Sequence, residues 1–258
     1  MDGEYVSDDQ LARDLATAAG QSLLAARRHG PLRGRPLGDA GDGLSHELLV
    51  RTLQALRPDD AVRSEEDASP VAEGAEGRRI WIVDPLDGTR EYGEGRDDWA
   101  VHVALVADRR PQASAVALPG VDLVLTSATV APPPPRAGSR IRIAVSRSRA
   151  PRAVDHLAER LDVGLVPMGS AGFKAMAVVR GAVDAYVHAG GQFEWDSAAP
   201  VGVALAAGLH ASRLDGSPLL YDAADPWLPD LVICRPEIAP DLLAALADAP
   251  TEPPRGPR

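Results

Sequence analysis

Leu11, Leu15, Ala19 and Leu23 recur at helical spacing until Gly30-Pro31 interrupts them, and Ser7-Asp8-Asp9-Gln10 ahead of them has the spacing of a capping box. The pattern predicts an amphipathic N-terminal helix. Leu44, Leu48, Leu49, Leu53 and Leu56 form a second apolar stripe ended by Pro58, which places a second helix from about Asp42 to Leu56, packed against the first. From Val62 onward the period shortens. Ile80–Val83, Trp99–Val106, Ala113–Leu118 and Asp122–Thr129 read as strands of one sheet.

Pro132–Pro135 supports neither helix nor central strand and reads as a stiff connector. It divides an N-terminal α+β part, residues 1–131, from a C-terminal α/β part, residues 139–258, with 132–138 as the link. Beyond it strands are expected at Ile141–Val145, Val163–Met168, Val183–His188, Leu209–Leu214 and Leu231–Cys234. Helices are expected at Ala150–Leu161, Ala171–Arg180, Asp196–Ala207 and Asp241–Ala247, so the class is α/β. Gly190-Gly191 reads as a turn, and the proline-rich end from Thr251 to Arg258 as loose chain.

Composition narrows the partners. In 258 residues, 27 Lys and Arg stand against 37 Asp and Glu, a net charge of −10 that disfavours nucleic acid and anionic membranes. An anionic substrate therefore needs cations to offset the repulsion. The single cysteine, Cys234, excludes an internal disulfide and a multi-thiolate zinc site, and the beginning of the sequence lacks signal-peptide features, so a reducing cytoplasm is the default location. The longest apolar stretch, Ala198–Leu209, is broken by Pro200 and falls far short of the ~20 residues that span a bilayer.

The richest chemistry lies in Trp81-Ile82-Val83-Asp84-Pro85-Leu86-Asp87-Gly88-Thr89, an apolar strand ending in two carboxylates on a turn. Carboxylate oxygens on a rigid mount suit Mg²⁺, although Asp-Pro and Asp-Gly are also ordinary turn formers. Ser64-Glu65-Glu66-Asp67 is a second acidic cluster that by itself reads as solvated loop. Glu194-Trp195-Asp196-Ser197 opens a helix, where an aspartate is commonly a plain cap. Asp39 and Asp42 read as loop residues ahead of the second helix. Walker, dinucleotide-binding, serine-hydrolase and zincin motifs are absent, and the histidines, His102 and His188 among them, show no paired ligand spacing.

Taken together and in this order, Ser-Glu-Glu, Trp-Ile-Val-Asp-Pro-Leu-Asp-Gly-Thr and Trp-Asp-Ser-Ala-Ala-Pro resemble the inositol monophosphatase superfamily of lithium-sensitive, Mg²⁺-dependent phosphatases. Gly95–His102 and His188–Asp196 further resemble its actinobacterial CysQ-type 3'(2'),5'-bisphosphate nucleotidases. The resemblance implies an α/β/α/β/α five-layer sandwich and two or three Mg²⁺ ions. By it, Glu65, Asp84 and the Leu86 carbonyl would hold the first ion, and Asp84, Asp87 and Asp196 the second. A third would sit near Glu65 with help from Asp42. Thr89 and Glu65 would orient the attacking water, and the Asp87-Gly88-Thr89 turn would grip the phosphate. Many relatives carry a Thr and an Asp ahead of the second helix with a Lys upstream. This chain has Gly38-Asp39-Ala40-Gly41-Asp42, and Arg33 or Arg35 would have to replace the lysine.

The implied reaction is removal of the 3'-phosphate of 3'-phosphoadenosine 5'-phosphate to give AMP, a clearance step in sulfate assimilation. Inositol monophosphate or fructose 1,6-bisphosphate hydrolysis is the alternative, and a non-catalytic phosphate-binding protein a third. The partner is a small phosphate ester, and a homodimer is left open. The substrate pocket would be built by Gly169–Lys174, Ser170 included, and by the strand ending at His188, with Lys174 pairing a second phosphate unless it is a solvated helix residue.

Overall fold

The computed structural model describes residues 6–67, 78–147 and 152–249. Helix α1 (Asp8–His29) begins where the Ser7 hydroxyl accepts the Gln10 N–H at 3.2 Å. The other half of the expected capping box is not made, because the Gln10 amide donates forward to Asp14 Oδ1 at 2.7 Å.

Helix α2 (Gly34–Leu56) starts well before the expected Asp42. Its first turns bury backbone instead of a leucine stripe, so no apolar period announces them. A Cβ at Gly38 would stand 2.7 Å from Thr89 Cγ2, and one at Gly41 would stand 2.9 Å from Tyr92 Cε1. Asp39 and Asp42 are therefore helical, not loop, residues, and Asp42 is buried.

Strands β1 (Ala61–Ser64), β2 (Arg79–Asp87), β3 (Ala100–Ala107), β4 (Arg110–Leu118) and β5 (Leu123–Thr126) form one sheet in that order. The β1–β2 pair is parallel and the rest antiparallel, with the short helix α3 (Thr89–Gly93) between β2 and β3. The second sheet comprises β6 (Ile141–Ser146), β7 (Val163–Met168), β8 (Ala185–Phe193), β9 (His210–Ser212) and β10 (Trp227–Cys234), ordered β7-β6-β8-β10-β9. Helices α4 (Arg152–Ala158), α5 (Ala171–Val179), α6 (Glu194–Ala206) and α7 (Ala239–Leu246) complete the α/β pattern.

The period of two along each strand sorts side chains between layers. On β2, Trp81 and Val83 pack toward α1 and α2, while Ile80 and Ile82 face the opposite side. That side meets α5 and α6, which in turn pack on Tyr186 and Ile233 of the second sheet. The outer face of the second sheet, with Ile143, Val187 and Val232, is covered by Val154 and Leu157 of α4 and Leu242 of α7. The order is the expected α/β/α/β/α sandwich. The four-proline run lies in irregular backbone between β5 and β6, and each sheet draws its strands from one side of it.

Gly190 and Gly191 are not a turn. They lie inside β8 with φ of 96° and 89°, where a bulge shifts the register against Leu228–Asp230 of β10. The helix expected at Ala150–Leu161 is observed over Arg152–Ala158, and its first expected residues lie outside the described ones, as does the Thr251–Arg258 end. No helix among the described residues is long and apolar enough to cross a membrane.

One buried ion pair ties the halves together. Arg63 of β1 donates to Glu194 at the start of α6, and both side chains are buried. Glu194 also accepts the Ala223 N–H at 2.9 Å, and Arg63 donates to the Ala223 carbonyl at 2.9 Å. Glu194→Ala leaves the buried Arg63 with only the more distant Asp222 carboxylate, 3.8 Å away, so urea unfolding should show a loss of ~3 kcal/mol. The double change Arg63→Met with Glu194→Leu should recover part of it, since an apolar pair of similar volume carries no desolvation cost while Asp222 keeps Arg78 at 3.7 Å.

Candidate active site

The carboxylates of β2 owe their convergence to an irregularity. Asp84 pairs with His102 but Asp87 pairs with Ala100, so β2 carries one residue more than β3 over this stretch. In a regular strand, residues three apart face opposite sides; the extra residue brings both aspartates to one side. The Leu86 N–H donates to Asp84 Oδ1 at 3.1 Å, an Asx turn that sets the bend. Asp196, in the first turn of α6, comes from the second half of the chain. Its Oδ2 accepts the Phe193 N–H at 2.6 Å, so it caps the helix. One oxygen from each of Asp84, Asp87 and Asp196 lies within 4.8 Å of the others.

A second group adjoins the first. Oxygens of Asp42, Glu65 and Glu66 also fall within 4.8 Å of one another. The Thr89 hydroxyl lies between them and β2, 2.9 Å from Asp42 Oδ2 and 3.1 Å from the Leu86 carbonyl. Glu65 stands on the turn after β1, and Gly88 and Thr89 lead into α3. Ser170 caps α5 by accepting the Phe173 N–H at 3.0 Å. All the expected site residues line one cleft of 1240 Å³ except Asp42, which lies behind Thr89.

Lys174 is not a solvated helix residue. It is buried, donates to the Gly169 carbonyl at 3.1 Å and to the Ser170 carbonyl, and lies 5.2 Å from the centre of the Tyr186 ring. His188 Nε2 is 2.9 Å from the Gly191 carbonyl. Arg33 is turned toward the Gly30 and Leu32 carbonyls at 2.8 and 2.6 Å, whereas Arg35 lines the cleft, 3.8 Å from Asp39.

Sequence patterns missed two contributors. His102, buried on the inner face of β3, sets Nδ1 2.9 Å from the Trp195 carbonyl and Nε2 3.2 Å from Asp87 Oδ2. The signal available was one imidazole in the otherwise apolar run Trp99–Val106. The backbone N–H groups of Ala171 and Gly172, at the start of α5, donate to Asp87 at 3.1 and 2.6 Å; main-chain donors leave no trace in residue type.

Electrostatics divide the acids. Burial opposes ionisation of Asp87, but His102, the Lys174 charge and the Gly172 N–H outweigh it and bring its carboxyl down to about 2. Burial, followed by the charges of Glu65 and Asp87, raises Asp84 well above the usual carboxylate range. Glu65 rises to about 8 through desolvation of its carboxylate and the charges of Asp196, Asp42 and Asp87. Asp42 rises to about 7 and Asp196 to about 6, in each case chiefly through burial. Asp84 Oδ2 and Asp42 Oδ1 are buried with no hydrogen-bond partner. Orphaned, mutually repelling oxygens with no soft donor among them are the ligand set of a hard divalent cation.

The sequence matches the inositol monophosphatase family over residues 10–250. The chain belongs to that family. It is 52% identical to the 3'-phosphoadenosine 5'-phosphate phosphatase of Mycobacterium leprae over 257 residues, covering 94% of each chain. It is 30% identical to the 3'(2'),5'-bisphosphate nucleotidase CysQ of Escherichia coli over 73% of this chain and 81% of that one. Among solved structures, the inositol monophosphatase of Anabaena superposes with a TM-score of 0.76 at 21% identity, over 94% of this chain and 96% of the other. CysQ of Bacteroides thetaiotaomicron gives 0.74 at 23%, over 90% and 98%. These two likenesses establish the layered fold.

The raised acids dictate a pH dependence for the cation-free protein. Glu65, Asp42 and Asp196 bind protons more tightly folded than unfolded, so their contribution is full at low pH and lost as pH rises through about 6 to 8. With chelator present, the melting temperature should fall between about pH 5.5 and about pH 8.5. Saturating divalent cation should raise it most at the alkaline end, because the ion replaces those protons. Scanning fluorimetry across that range checks both; a chelated protein that gains stability with rising pH would contradict the site electrostatics.

Proposed function

We propose that this chain is a Mg²⁺-dependent phosphatase that removes the 3'-phosphate of 3'-phosphoadenosine 5'-phosphate to give AMP and inorganic phosphate. The convergence of Asp84, Asp87 and Asp196 at one end of the cleft, with an orphaned buried oxygen on Asp84, supports the chemistry. The 52% identity with the Mycobacterium leprae phosphatase supports the substrate.

In this reading Asp84, Asp87 and Asp196 would hold one Mg²⁺, and Glu65 with Asp84 and the Leu86 carbonyl a second. Asp42 and Glu65 would hold a third. When bound there, Mg²⁺ neutralises phosphate charge and makes a water acidic enough to act as nucleophile near neutral pH. The protein's own groups do the rest. Thr89 Oγ1, held between Asp42 and the Leu86 carbonyl, would orient that water together with Glu65. His102 and the Ala171 and Gly172 N–H groups keep Asp87 ionised and fixed in place. Lys174 and Arg35, both in the cleft lining, add positive potential, which a chain of net charge −10 needs to admit an anion.

Asp84→Asn and Asp196→Asn should each cut turnover by at least ~10²-fold in a phosphate-release assay while leaving the fold intact, because each removes a charged ligand from the clamp. EDTA should abolish activity, Mg²⁺ restore it, and Ca²⁺ and Li⁺ inhibit it.

Substrate choice is tested separately. We expect kcat/KM for 3'-phosphoadenosine 5'-phosphate to exceed that for inositol 1-phosphate by at least ~10-fold, about 1.4 kcal/mol of differential transition-state binding. A better rate on inositol 1-phosphate or fructose 1,6-bisphosphate would replace the nucleotidase reading with a sugar-phosphatase one.

A further inference from the structure

The phosphate seat grips any phosphate ester, so what distinguishes a nucleotide must lie elsewhere in the cleft. The chain is sparing with aromatic residues: four Trp, four Tyr and two Phe in 258. Most of those in the described residues are core, and Trp81, Tyr92, Trp99, Tyr186 and Tyr221 are all buried. Four remain partly exposed, namely Phe173, Phe193, Trp195 and Trp227. Three of these four, Phe193, Trp195 and Trp227, line the cleft. Phe193 and Trp195 are stacked, 4.7 Å between ring centres with 11° between planes, and Trp227 meets Phe193 edge-on at 5.6 Å.

The wall is built, not incidental. Trp227 lies so close over Gly191 that a Cβ there would stand 1.6 Å from its indole ring, so only glycine admits it. The bulge in β8 places that glycine at φ of 89°. The wall is also tied to the carboxylates, since the Phe193 N–H donates to Asp196 Oδ2 at 2.6 Å. Gln192, buried and in the same lining, has neither amide atom hydrogen-bonded. Partly exposed aromatic faces beside an unsatisfied amide, one step from a phosphate seat, are complementary to a planar heteroaromatic ring with polar edges.

We infer that Phe193, Trp195 and Trp227 form the platform on which the purine base of the substrate stacks, and that this wall sets the preference for a nucleotide over a sugar phosphate. The inference rests on the nucleotidase reading above and adds the residues that enforce it. Trp227 is the informative one to change, because it stands on β10 and donates nothing to the carboxylate cluster, whereas Phe193 and Trp195 hold Asp196 and His102 through their backbones.

The test measures kcat/KM for 3'-phosphoadenosine 5'-phosphate and for inositol 1-phosphate in the Mg²⁺-loaded wild type, Trp227→Leu, Trp227→Phe and Phe193→Leu. Trp227→Leu should lower the nucleotide-to-inositol ratio by ~10-fold, the scale of one lost base–aromatic stack, mainly through KM. Trp227→Phe should restore most of the ratio, and Phe193→Leu should lower it as Trp227→Leu does. In the wild type, adenosine should inhibit inositol 1-phosphate hydrolysis competitively and ribose should not, a reading that needs no variant to fold. An unchanged ratio in both leucine variants, or equal inhibition by adenosine and ribose, overturns the platform. A wild type that shows no nucleotide preference at all overturns the nucleotidase reading instead.

Discussion

Carboxylates packed with their oxygens within 4.8 Å of one another repel, and holding Asp84, Asp87 and Asp196 in that state is the constraint around which this molecule is arranged. The cost is met by differentiation. Asp87 is surrounded by donors, the Ala171 and Gly172 N–H groups and the His102 ring, and stays ionised. Asp84 and Asp196 lack that compensation in full, and burial raises both carboxyls, Asp84 the more strongly. The protein thus stores an unsatisfied charge-binding capacity at one place, which a uniformly hydrogen-bonded cluster could not do.

The layers follow from the same need. Asp84 and Asp87 ride on the central part of the first sheet, where β2 is flanked by β1 and β3 and buried on both faces. Asp196 and the donors at the start of α5 come from the second half of the chain, and the shared core beneath α5 and α6 fixes one set against the other. The buried Arg63–Glu194 pair anchors the start of α6 to β1 two residues before Asp196 and two before Glu65. Errors of an ångström there would separate the ligand atoms, so rigid mounts on strand ends and helix starts are used in place of loops.

The close approach of α2 adds a third element. Gly38 and Gly41 let its backbone come against Thr89 and Tyr92, and that contact brings Asp42 to the Thr89 hydroxyl. The same glycines erase the apolar stripe by which a helix start is normally recognised. Structural and chemical roles coincide at these positions.

Much was legible from the chain because it is encoded locally. Strand and helix periods gave the α/β class, Asp84 and Asp87 stood out as paired carboxylates on a turn, and Glu65 and Asp196 gained meaning only from the three motifs taken together in their order as a family resemblance. What depended on contacts distant in sequence stayed hidden. The early start of α2 is imposed by α3, and the bulge that reverses one β2 side chain depends on the register with β3. Lys174 stands in the cleft lining and is buried against the Tyr186 ring, a contact that no residue spacing announces. His102 gained a role only when β3 met α6. Gly190 and Gly191 read locally as a turn, yet β10 pairs across them and lays Trp227 over the bare backbone. Local spacing determined which residues could do chemistry here, whereas backbone donors, register and close approach, which have no residue-type signature, decided which atoms meet.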